Sequence, residues 1–448
     1  MNPTAKDALP AMHGERTSAD ATFSKIGWRL LPLLLVSYMV AYLDRVNIGY
    51  AQLQMKQTLP WGDAVYGLGA GVFFIGYFLF EVPSNMLLER IGARKTLLRI
   101  MVCWGLVAAA MAFVETPTQF YVARFMLGIF EAGFFPGIIL YLTYWYPSAR
   151  RGQVIATFMS ATTIISVLAG PVCGLMLKYM HGVGGWHGWQ WMFMLQGLPA
   201  VLLGLLVFAL LQDRPDDAGW LSASEKSLVR ETLHRDRSAI EAAHGASSRR
   251  LLRDPQVWLL ALVYFFLLGA TYTMVFWLPT LIQSWGVKDL LSIGLLAAVP
   301  NACGVAGMIL LGRNSDRLRE RRWHFAGSVA LAAAGLAVTA LLTGHLSGSL
   351  LALCFATIGI SAATPIFFAL VSEYLTPATA AVGIALISSL GNLGPAISPW
   401  INGLIAQRTG STAYSMILVI ALYVTAGALL LLGLKAKKAP PRAAAMPA

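Results

Sequence analysis

The chain has 448 residues, of which 57% are hydrophobic and only 12% are charged, and its mean hydropathy is +0.65. Soluble globular domains carry about a quarter of their residues as charged side chains, so this composition excludes an ordinary soluble protein and predicts a polytopic membrane protein. The net charge of +12 follows from basic loops between apolar segments, and it gives no reason to expect a nucleic-acid partner.

Twelve apolar runs are each long enough to cross a bilayer core of about 30 Å as a helix. Six lie before a charged stretch rich in Arg, Asp, Glu and Ser, and six lie after it. We therefore expect an all-α polytopic membrane protein with twelve transmembrane helices in two six-helix halves. The predicted spans are 28–50, 66–88, 97–114, 119–143, 153–177, 191–211, 256–283, 291–312, 324–343, 348–371, 380–405 and 412–434.

The charged stretch divides the chain into four predicted parts. These are an N-terminal half at 1–212, a cytoplasmic linker at 213–255, a C-terminal half at 256–434 and a cytoplasmic tail at 435–448. Within the linker, Ser222 and Glu225 have the spacing of a capping box. This spacing predicts a short surface helix from about Ala223 to Arg235.

Basic residues set the expected orientation, because loops rich in Lys and Arg stay on the cytoplasmic side. Of the 33 Lys and Arg residues, 27 fall where the predicted topology places them on one side, here called the basic face. The other six are Lys56, Lys178, Lys288 and Arg408 on the opposite side, and Arg45 and Arg124 within apolar runs. Both termini are therefore predicted to be cytoplasmic.

The first apolar run carries two adjacent charges, Asp44 and Arg45, about 24 Å along a helix that begins near Trp28. Ionisable residues at membrane depth are rare and usually face a cavity or a partner. We therefore expect a charge-handling site inside the membrane. The alternative is a local ion pair at the membrane surface.

The fourth run carries a second charged stripe. Arg124, Gly128 and Glu131 are spaced by four and three residues, so they lie on one face of a helix. This face could belong to the same site. The alternative is a buried ion pair that only ties helices together, since intramembrane charges also pair for structure.

A loop motif occurs at the end of the second helix of each half. In both copies an acid is followed at once by Arg, and a basic pair comes five and six residues after the acid. The residues assigned to these conformational loop motifs are Glu89, Arg90 and Arg94 in the first copy, and Asp316, Arg317 and Arg321 in the second. Such a repeat indicates duplication, and parallel six-helix repeats surround a central cavity.

The loop motif resembles the signature loop of the major facilitator superfamily. Four segments together resemble its anion:cation symporter family. They are YLDRVNIG, FEVPSNMLLERIGARKT, RFMLGIFEAGFFPGIILYLTYWYP and SSLGNLGPAISP. The resemblance implies a proton-coupled importer of organic anions such as sugar acids, tartrate, phthalate or hydroxyphenylacetate. It also implies a monomer in the lipid bilayer of the cell (inner) membrane, with the proton as coupling ion and no cofactor. Three positions depart from the family pattern: Asn85 and Glu89 replace Gly and Asp, and Ser388 stands where Asn is frequent.

The two charged stripes suggest a division of roles. A carboxylate beside an Arg stays ionised, whereas one in a desolvated site without its partner takes up a proton, so Asp44 and Glu131 are assigned to proton coupling. Arg45 is expected to change partners between an acid and the substrate, because guanidinium binds carboxylate through two parallel hydrogen bonds. The resemblance implies a role in the same site for Arg124, which is assigned to substrate binding.

Further substrate-binding candidates are polar or aromatic side chains at the depth where the cavity is expected. They are Tyr42, Tyr77, Thr162, Tyr272, Trp277 and Asn392. Aromatic residues in membrane helices also serve packing or the interface belt, and Thr often bonds back to its own helix.

Other classes of function find little support. The seven histidines show no HxxxH or HExxH spacing, the four cysteines lie in apolar runs, and there is no GxxxxGK[ST] loop. We therefore expect neither an enzyme, nor a metal site, nor a primary pump. Gly170-Pro171 with Gly174 partly resembles a motif of antiporters, so an exchanger or effluxer is one alternative. A non-transporting membrane sensor of organic acids is the second.

Overall fold

A computed structural model describes residues 5–243, 251–342, 344–375 and 379–434. These residues contain twelve helices long and apolar enough to cross a membrane, and no strand. The helices, labelled α1–α12, are Ala19–Thr58, Asp63–Ile91, Ala93–Phe113, Pro117–Thr143, Ser148–Tyr179, Gly188–Leu210, Pro255–Ser284, Leu290–Leu318, Arg322–Leu341, Leu346–Tyr374, Val382–Thr409 and Thr412–Gly433. The predicted all-α class with twelve membrane helices is confirmed.

The helix limits differ most from prediction at the start of the chain. Helical backbone begins at Ala5 rather than near Trp28, because polar residues end a membrane span without ending a helix. The division at residues 212 and 255 stays a prediction. The predicted tail, 435–448, and residues 244–250 of the linker lie outside the described residues.

Three membrane helices are interrupted near their middle. Helix α1 breaks at Asn47, α4 breaks after Glu131, where Gly133 has a φ of +84°, and α11 breaks around Asn392. Irregular backbone at membrane depth is tolerated where it is buried in protein or lines a cavity. The breaks lie beside the charged residues of α1 and α4 and beside the candidate Asn392.

Helices α2 and α11 pack backbone to backbone near the face opposite the basic one. A Cβ built on Gly67 would lie 2.3 Å from the carbonyl oxygen of Pro399, and one on Gly71 would lie 2.2 Å from that of Ala396. Small residues allow helices to approach this closely, and any larger side chain would clash. The two halves are therefore shut against each other here, at what we call the closed face.

Helices α5 and α8 repeat this contact at the closed face and lose it toward the basic face. A Cβ on Gly170 would lie 2.3 Å from the carbonyl oxygen of Gly294, and one on Gly294 would lie 2.1 Å from that of Gly170. The same antiparallel register places Gly152 opposite Gly312, yet a Cβ on either would meet nothing within 4 Å. The halves thus diverge, and the protein is open toward its basic face.

The linker contains a helix, Ala223–Ala243, held against the N-terminal half. Its predicted capping box is confirmed, because Ser222 Oγ accepts from the backbone N–H of Glu225 at 3.2 Å and Glu225 Oε2 accepts from that of Ser222 at 2.7 Å. Lys25 Nζ pairs with the same carboxylate at 2.9 Å. The helix continues past the predicted end at Arg235, because the Ala and Glu residues that follow favour helix.

Candidate functional site

Asp44 is buried on the side of α1 that faces α3 and α6. Its Oδ2 accepts a hydrogen bond from Trp104 Nε1 at 2.7 Å, and its Oδ1 accepts one from Asn47 Nδ2 at 3.1 Å. The same Asn47 amide donates to Gln196 Oε1 at 2.9 Å. Asp44 is only 4% exposed, so its carboxylate is held by neutral donors inside the N-terminal half rather than by a cation at the surface.

Arg45 pairs with Glu131 across α1 and α4. Its Nε donates to Glu131 Oε1 at 3.1 Å, and its Nη2 contacts the same oxygen. Its Nη1 donates to the hydroxyl of Tyr272 on α7 at 3.1 Å. The Arg45 side chain is 13% exposed and that of Glu131 is 2% exposed. One guanidinium therefore links both halves of the protein at the edge of the open side.

Close packing of α2 on α4 builds the wall of this site. A Cβ on Gly128 would lie 2.0 Å from the carbonyl oxygen of Phe73, so glycine is required for the approach. The guanidinium of Arg45 lies 5.5 Å from the ring centroid of Phe73 and 5.3 Å from that of Tyr77. Such rings attract a cation. The glycine of the predicted stripe thus allows the aromatic rings of α2 to reach the charged pair.

Arg124 lies deeper than Arg45. Its Nε donates to the carbonyl oxygen of Gly69 at 3.2 Å, and its guanidinium lies 4.9 Å from the ring centroid of Phe73. Within the described part of the chain its Nη2 has no hydrogen-bond partner and no acid lies within ion-pair distance. Arg124 is 1% exposed, so in this state it is a buried cation shielded from the open side by Phe73.

The remaining substrate-binding candidates fall into two groups. Arg45 contacts the ring of Tyr77, which is buried, and donates to the hydroxyl of Tyr272, which is half-buried, so both rings lie in the site. The half-buried residues also include Tyr42 and Asn392. Trp277 packs edge-on against Tyr66 at 4.9 Å, within the closed face. Thr162 donates to the carbonyl oxygen of Met159 on its own helix at 2.8 Å. The structure therefore brings Tyr77 and Tyr272 to Arg45. Among the described residues it shows no hydrogen bond or ring contact to Arg45 from the other candidates, Tyr42, Thr162, Trp277 and Asn392.

The two loop motifs make different contacts. In the second copy, Arg321 pairs with Asp316 at 2.6 Å and with Glu373 at 3.0 Å. In the first copy, Arg94 donates to the carbonyl oxygen of Phe208 at 2.6 Å. Glu89, Arg90 and Arg317 are exposed. Both motifs lie at the basic face, and each binds within its own half.

Several residues of the site carry no clear signal in the sequence. Trp104 and Asn47 donate to Asp44, and Gln196 accepts from Asn47. All three look like ordinary members of apolar helices. Glu81 is different, because a lone acid in the predicted span 66–88 has the same high cost at membrane depth as Asp44. Among the described residues no group of three His, Cys, Asp or Glu could hold a metal.

A family model described as the Major Facilitator Superfamily matches residues 34–399 and 289–447. A putative tartrate transporter of Agrobacterium vitis is 45% identical over 403 residues, which cover 89% of this chain and 92% of that protein. A quinolone resistance transporter of Acinetobacter baumannii is 42% identical over 388 residues, which cover 87% of this chain and 89% of that protein. These relatives are transporters rather than enzymes.

The fold is also shared with solved structures. A bacterial homolog of the human lysosomal transporter Spinster, in an inward-facing and unoccupied conformation, matches with a TM-score of 0.75 at 19% identity. The match covers 92% of this chain and 96% of that chain. At this identity the likeness shows the fold alone.

Proposed function

This chain belongs to the major facilitator superfamily, and we propose that it is a proton-coupled secondary transporter that imports an organic carboxylate anion by alternating access. In this architecture two six-helix halves rock about a site at the middle of the membrane. Beyond membership of this superfamily, the proposal specifies the coupling ion, the direction of transport and the substrate class. It places a monomer in the inner membrane, with protons and the carboxylate as its small partners and no cofactor.

One observation carries the proposal: Arg45 binds Glu131 at the junction of the two halves. Guanidinium forms two parallel hydrogen bonds with a carboxylate, and Glu131 occupies two of the Arg45 nitrogens here. A substrate carboxylate that takes these nitrogens leaves Glu131 without its cation. An unpaired carboxylate shut off from water favours its protonated form, so substrate binding and proton binding are linked.

The transport cycle follows from this exchange of partners. On the outside a proton on Glu131 frees Arg45 to bind the substrate carboxylate. The loaded halves then rock so that the site opens at the basic face, which the distribution of Lys and Arg assigns to the cytoplasm. There the substrate leaves, Arg45 returns to Glu131, and the proton passes to water. The open basic face and the Arg45–Glu131 pair correspond to the end of this sequence.

Asp44 is the second proton site of the proposal. In this state neutral donors, Trp104 and Asn47, hold its two oxygens. Arg124 on α4 has an unpartnered Nη2 among the described residues, so it is available as a cation for Asp44 when α1 and α4 shift. The proton of Asp44 would then leave as the Asp44–Arg124 ion pair forms.

The substrate class rests on the groups around Arg45. Tyr272 of the C-terminal half already accepts from Arg45, so it can hydrogen-bond a substrate whose carboxylate lies on Arg45 of the N-terminal half. Asn392, at the break of α11, is proposed as a second donor from the C-terminal half. The name of the tartrate relative supports a hydroxy acid. The rings of Phe73 and Tyr77 also fit an aromatic acid. Competition by a panel of hydroxy, sugar and aromatic carboxylates for uptake distinguishes these possibilities.

Uptake by purified protein in proteoliposomes tests the proposal. A labelled carboxylate should accumulate when an inward proton gradient is imposed, and accumulation should stop when a proton ionophore collapses the gradient. Accumulation that follows a sodium gradient instead would contradict the choice of coupling ion. Binding without accumulation under any gradient would contradict transport and favour the sensor.

An exchanger or effluxer is the second candidate. The relative named as a quinolone resistance transporter supports it, whereas Gly170 and Gly174 of the antiporter-like motif already have a packing role against α8. Vesicles loaded with substrate and placed in acidic buffer separate the two. Release driven by external protons favours efflux, and retention with further accumulation favours import.

A further inference from the structure

One intramembrane carboxylate has no role in the cycle above. Glu81 lies on α2, about 27 Å along the helix from Asp63 and about 15 Å from Ile91. It is half-buried and lies one helical turn beyond Tyr77, whose ring contacts Arg45. Glu81 therefore lies between the Arg45–Glu131 pair and the basic face, on the side where the protein is open.

The register of α2 against α11 shows what lies opposite Glu81. The antiparallel contacts run from Gly67 at Pro399 to Gly71 at Ala396, both at backbone distance. Farther toward the basic face, Ser389 Oγ lies 3.5 Å from Glu81 Oε2. There the contact is made by the long Glu81 side chain rather than by backbone. Glu81 is thus placed where α2 and α11 begin to diverge.

We propose that Glu81 is a third proton-binding carboxylate, which takes up its proton when the basic face closes. When this face closes, α11 moves toward α2 at the level of Glu81. The two helices are already in backbone contact at Gly71. The carboxylate then leaves water for an apolar interface, which strongly disfavours its charge. The protonated acid can donate its O–H to Ser389 Oγ, whereas in the present open state Ser389 donates to it.

The charges around Glu81 leave it without an ion-pair partner among the described residues in this open state. The ionisable groups of the neighbouring helices are Arg45 of α1, Glu131 of α4 and Arg99 of α3, which donates to Ser84 at 2.7 Å. In this open state Glu131 engages Arg45, and no cation lies within ion-pair distance of Glu81 in the described part of the chain. From Val382 to Gln407, α11 carries no ionisable side chain. The closing helix therefore brings no cation to replace the proton.

The proposal rests on the alternating access of the proposed function, and not on its substrate. Its test is the width of the opening at the basic face, measured without substrate. Spin labels at Met86 of α2 and Val382 of α11, both exposed, report this distance by pulsed dipolar spectroscopy. The four free native cysteines are replaced beforehand.

The expected result concerns how the closed-to-open ratio varies with pH. Each proton taken up on closure changes this ratio by about tenfold per pH unit, so Glu81→Gln should lower the logarithmic slope by about one. Glu81→Asp keeps a titrating acid and should keep the slope. Glu115→Gln removes an exposed carboxylate at the opposite face and should also keep it.

A wild-type slope in Glu81→Gln would overturn the proposal, and so would an equal loss of slope in Glu115→Gln. The two proposals fail separately. If the wild-type protein shows no proton-driven uptake, the proposed function is wrong whatever the slope. If uptake is proton-driven but Glu81→Gln leaves the dependence of the closed-to-open ratio on pH unchanged, only the role of Glu81 is wrong.

Discussion

Arg45 donates from Nε to Oε1 of Glu131 at 3.1 Å, and this pair joins the broken middle of α1 to the break of α4. The two residues are far apart in sequence, and each occupies a helix that is otherwise apolar. Neither charge would be stable at this depth alone. Their pairing, at the edge of the open side, makes the contact both a stabilising link and a site at which a substrate can compete.

Replacing Arg45 by Lys tests whether the guanidinium is needed for its shape. Lys keeps the charge but cannot form two parallel bonds. Loss of one such charge-assisted bond costs about 1.5–3 kcal/mol, so KM for the carboxylate should rise about tenfold to 150-fold. Arg408→Lys at the opposite face is the matched control and should behave like wild type. A silent Arg45→Lys with normal membrane expression would show that a point charge suffices at this position and would contradict bidentate recognition of the substrate.

Replacing Gly170 by Ala tests the packing of the closed face. The new methyl group would meet the carbonyl oxygen of Gly294 at 2.3 Å, and overpacking of this kind costs about 1–3 kcal/mol. The closed face should therefore open more often, and distances between labels at the ends of α5 and α8 should lengthen. Gly327→Ala on α9, where a Cβ meets nothing within 4 Å, should leave them unchanged. Equal distances in the two variants would show that the contact does not hold this face.

Lys178 and Asp289 also connect α5 and α8 at the closed face, with Nζ and Oδ1 2.8 Å apart. The Lys178 hydrogen bond lowers the pKa of Asp289 to about 2, so the contribution of the pair is present above the usual Asp pKa and is lost only as pH falls through about 2. Because exposed pairs contribute little, Asp289→Asn should leave uptake nearly unchanged between about pH 5 and pH 8. A large loss of uptake would show that this pair, rather than glycine packing, keeps the face shut.

Replacing Ser222 by Ala tests the cap of the linker helix. An N-cap contributes about 1 kcal/mol, so amide hydrogen exchange in the first turns of Ala223–Ala243 should become about fivefold faster. Ser227→Ala makes the same chemical change at an exposed interior position and should slow exchange slightly, because Ala favours helix. If both variants exchange alike, the capping box does not hold this end of the helix.

The same helix responds to pH through Glu225. The Lys25 ammonium and the backbone N–H of Ser222 lower the pKa of this carboxyl. Because its pKa is lowered, the ionised carboxyl stabilises the folded contact fully at pH values above the ordinary Glu pKa. This stabilisation is lost as the pH falls through the lowered pKa. Exchange in the first turn of the helix should therefore show no added pH dependence between about pH 5 and pH 8. An acceleration near pH 6 would contradict the Lys25 pairing.

The twelve helices could be read from hydropathy, because each span must be long and apolar to cross the membrane. The stripe of Arg124, Gly128 and Glu131 could be read from helical spacing, and its glycine proves to be a point of close approach. Which acid meets which Arg could not be read, since Arg45 reaches Glu131 across helices while Asp44 is held by Trp104. Spacing along one helix says nothing about the neighbour across from it.

Which face of the protein is open and which is closed also could not be predicted from the sequence. Alternating states share one sequence, and only three-dimensional packing separates Gly170, in contact with Gly294, from Gly152, which meets nothing within 4 Å. Trp277 illustrates the consequence. Its residue type and depth predict a role in substrate binding, whereas in this state it packs against Tyr66 within the closed face.

The most direct test of the account measures proton movement caused by substrate. When carboxylate is added outside proteoliposomes that contain the wild-type protein, the external medium should become more alkaline as protons enter with the anion. Glu131→Gln should lower this signal by the proton that Glu131 carries and leave at most the proton of Asp44, and carboxylate exchange across the membrane, which needs no net proton release, should continue. Unchanged alkalinisation in Glu131→Gln would contradict the claim that the carboxylate paired with Arg45 carries the coupled proton.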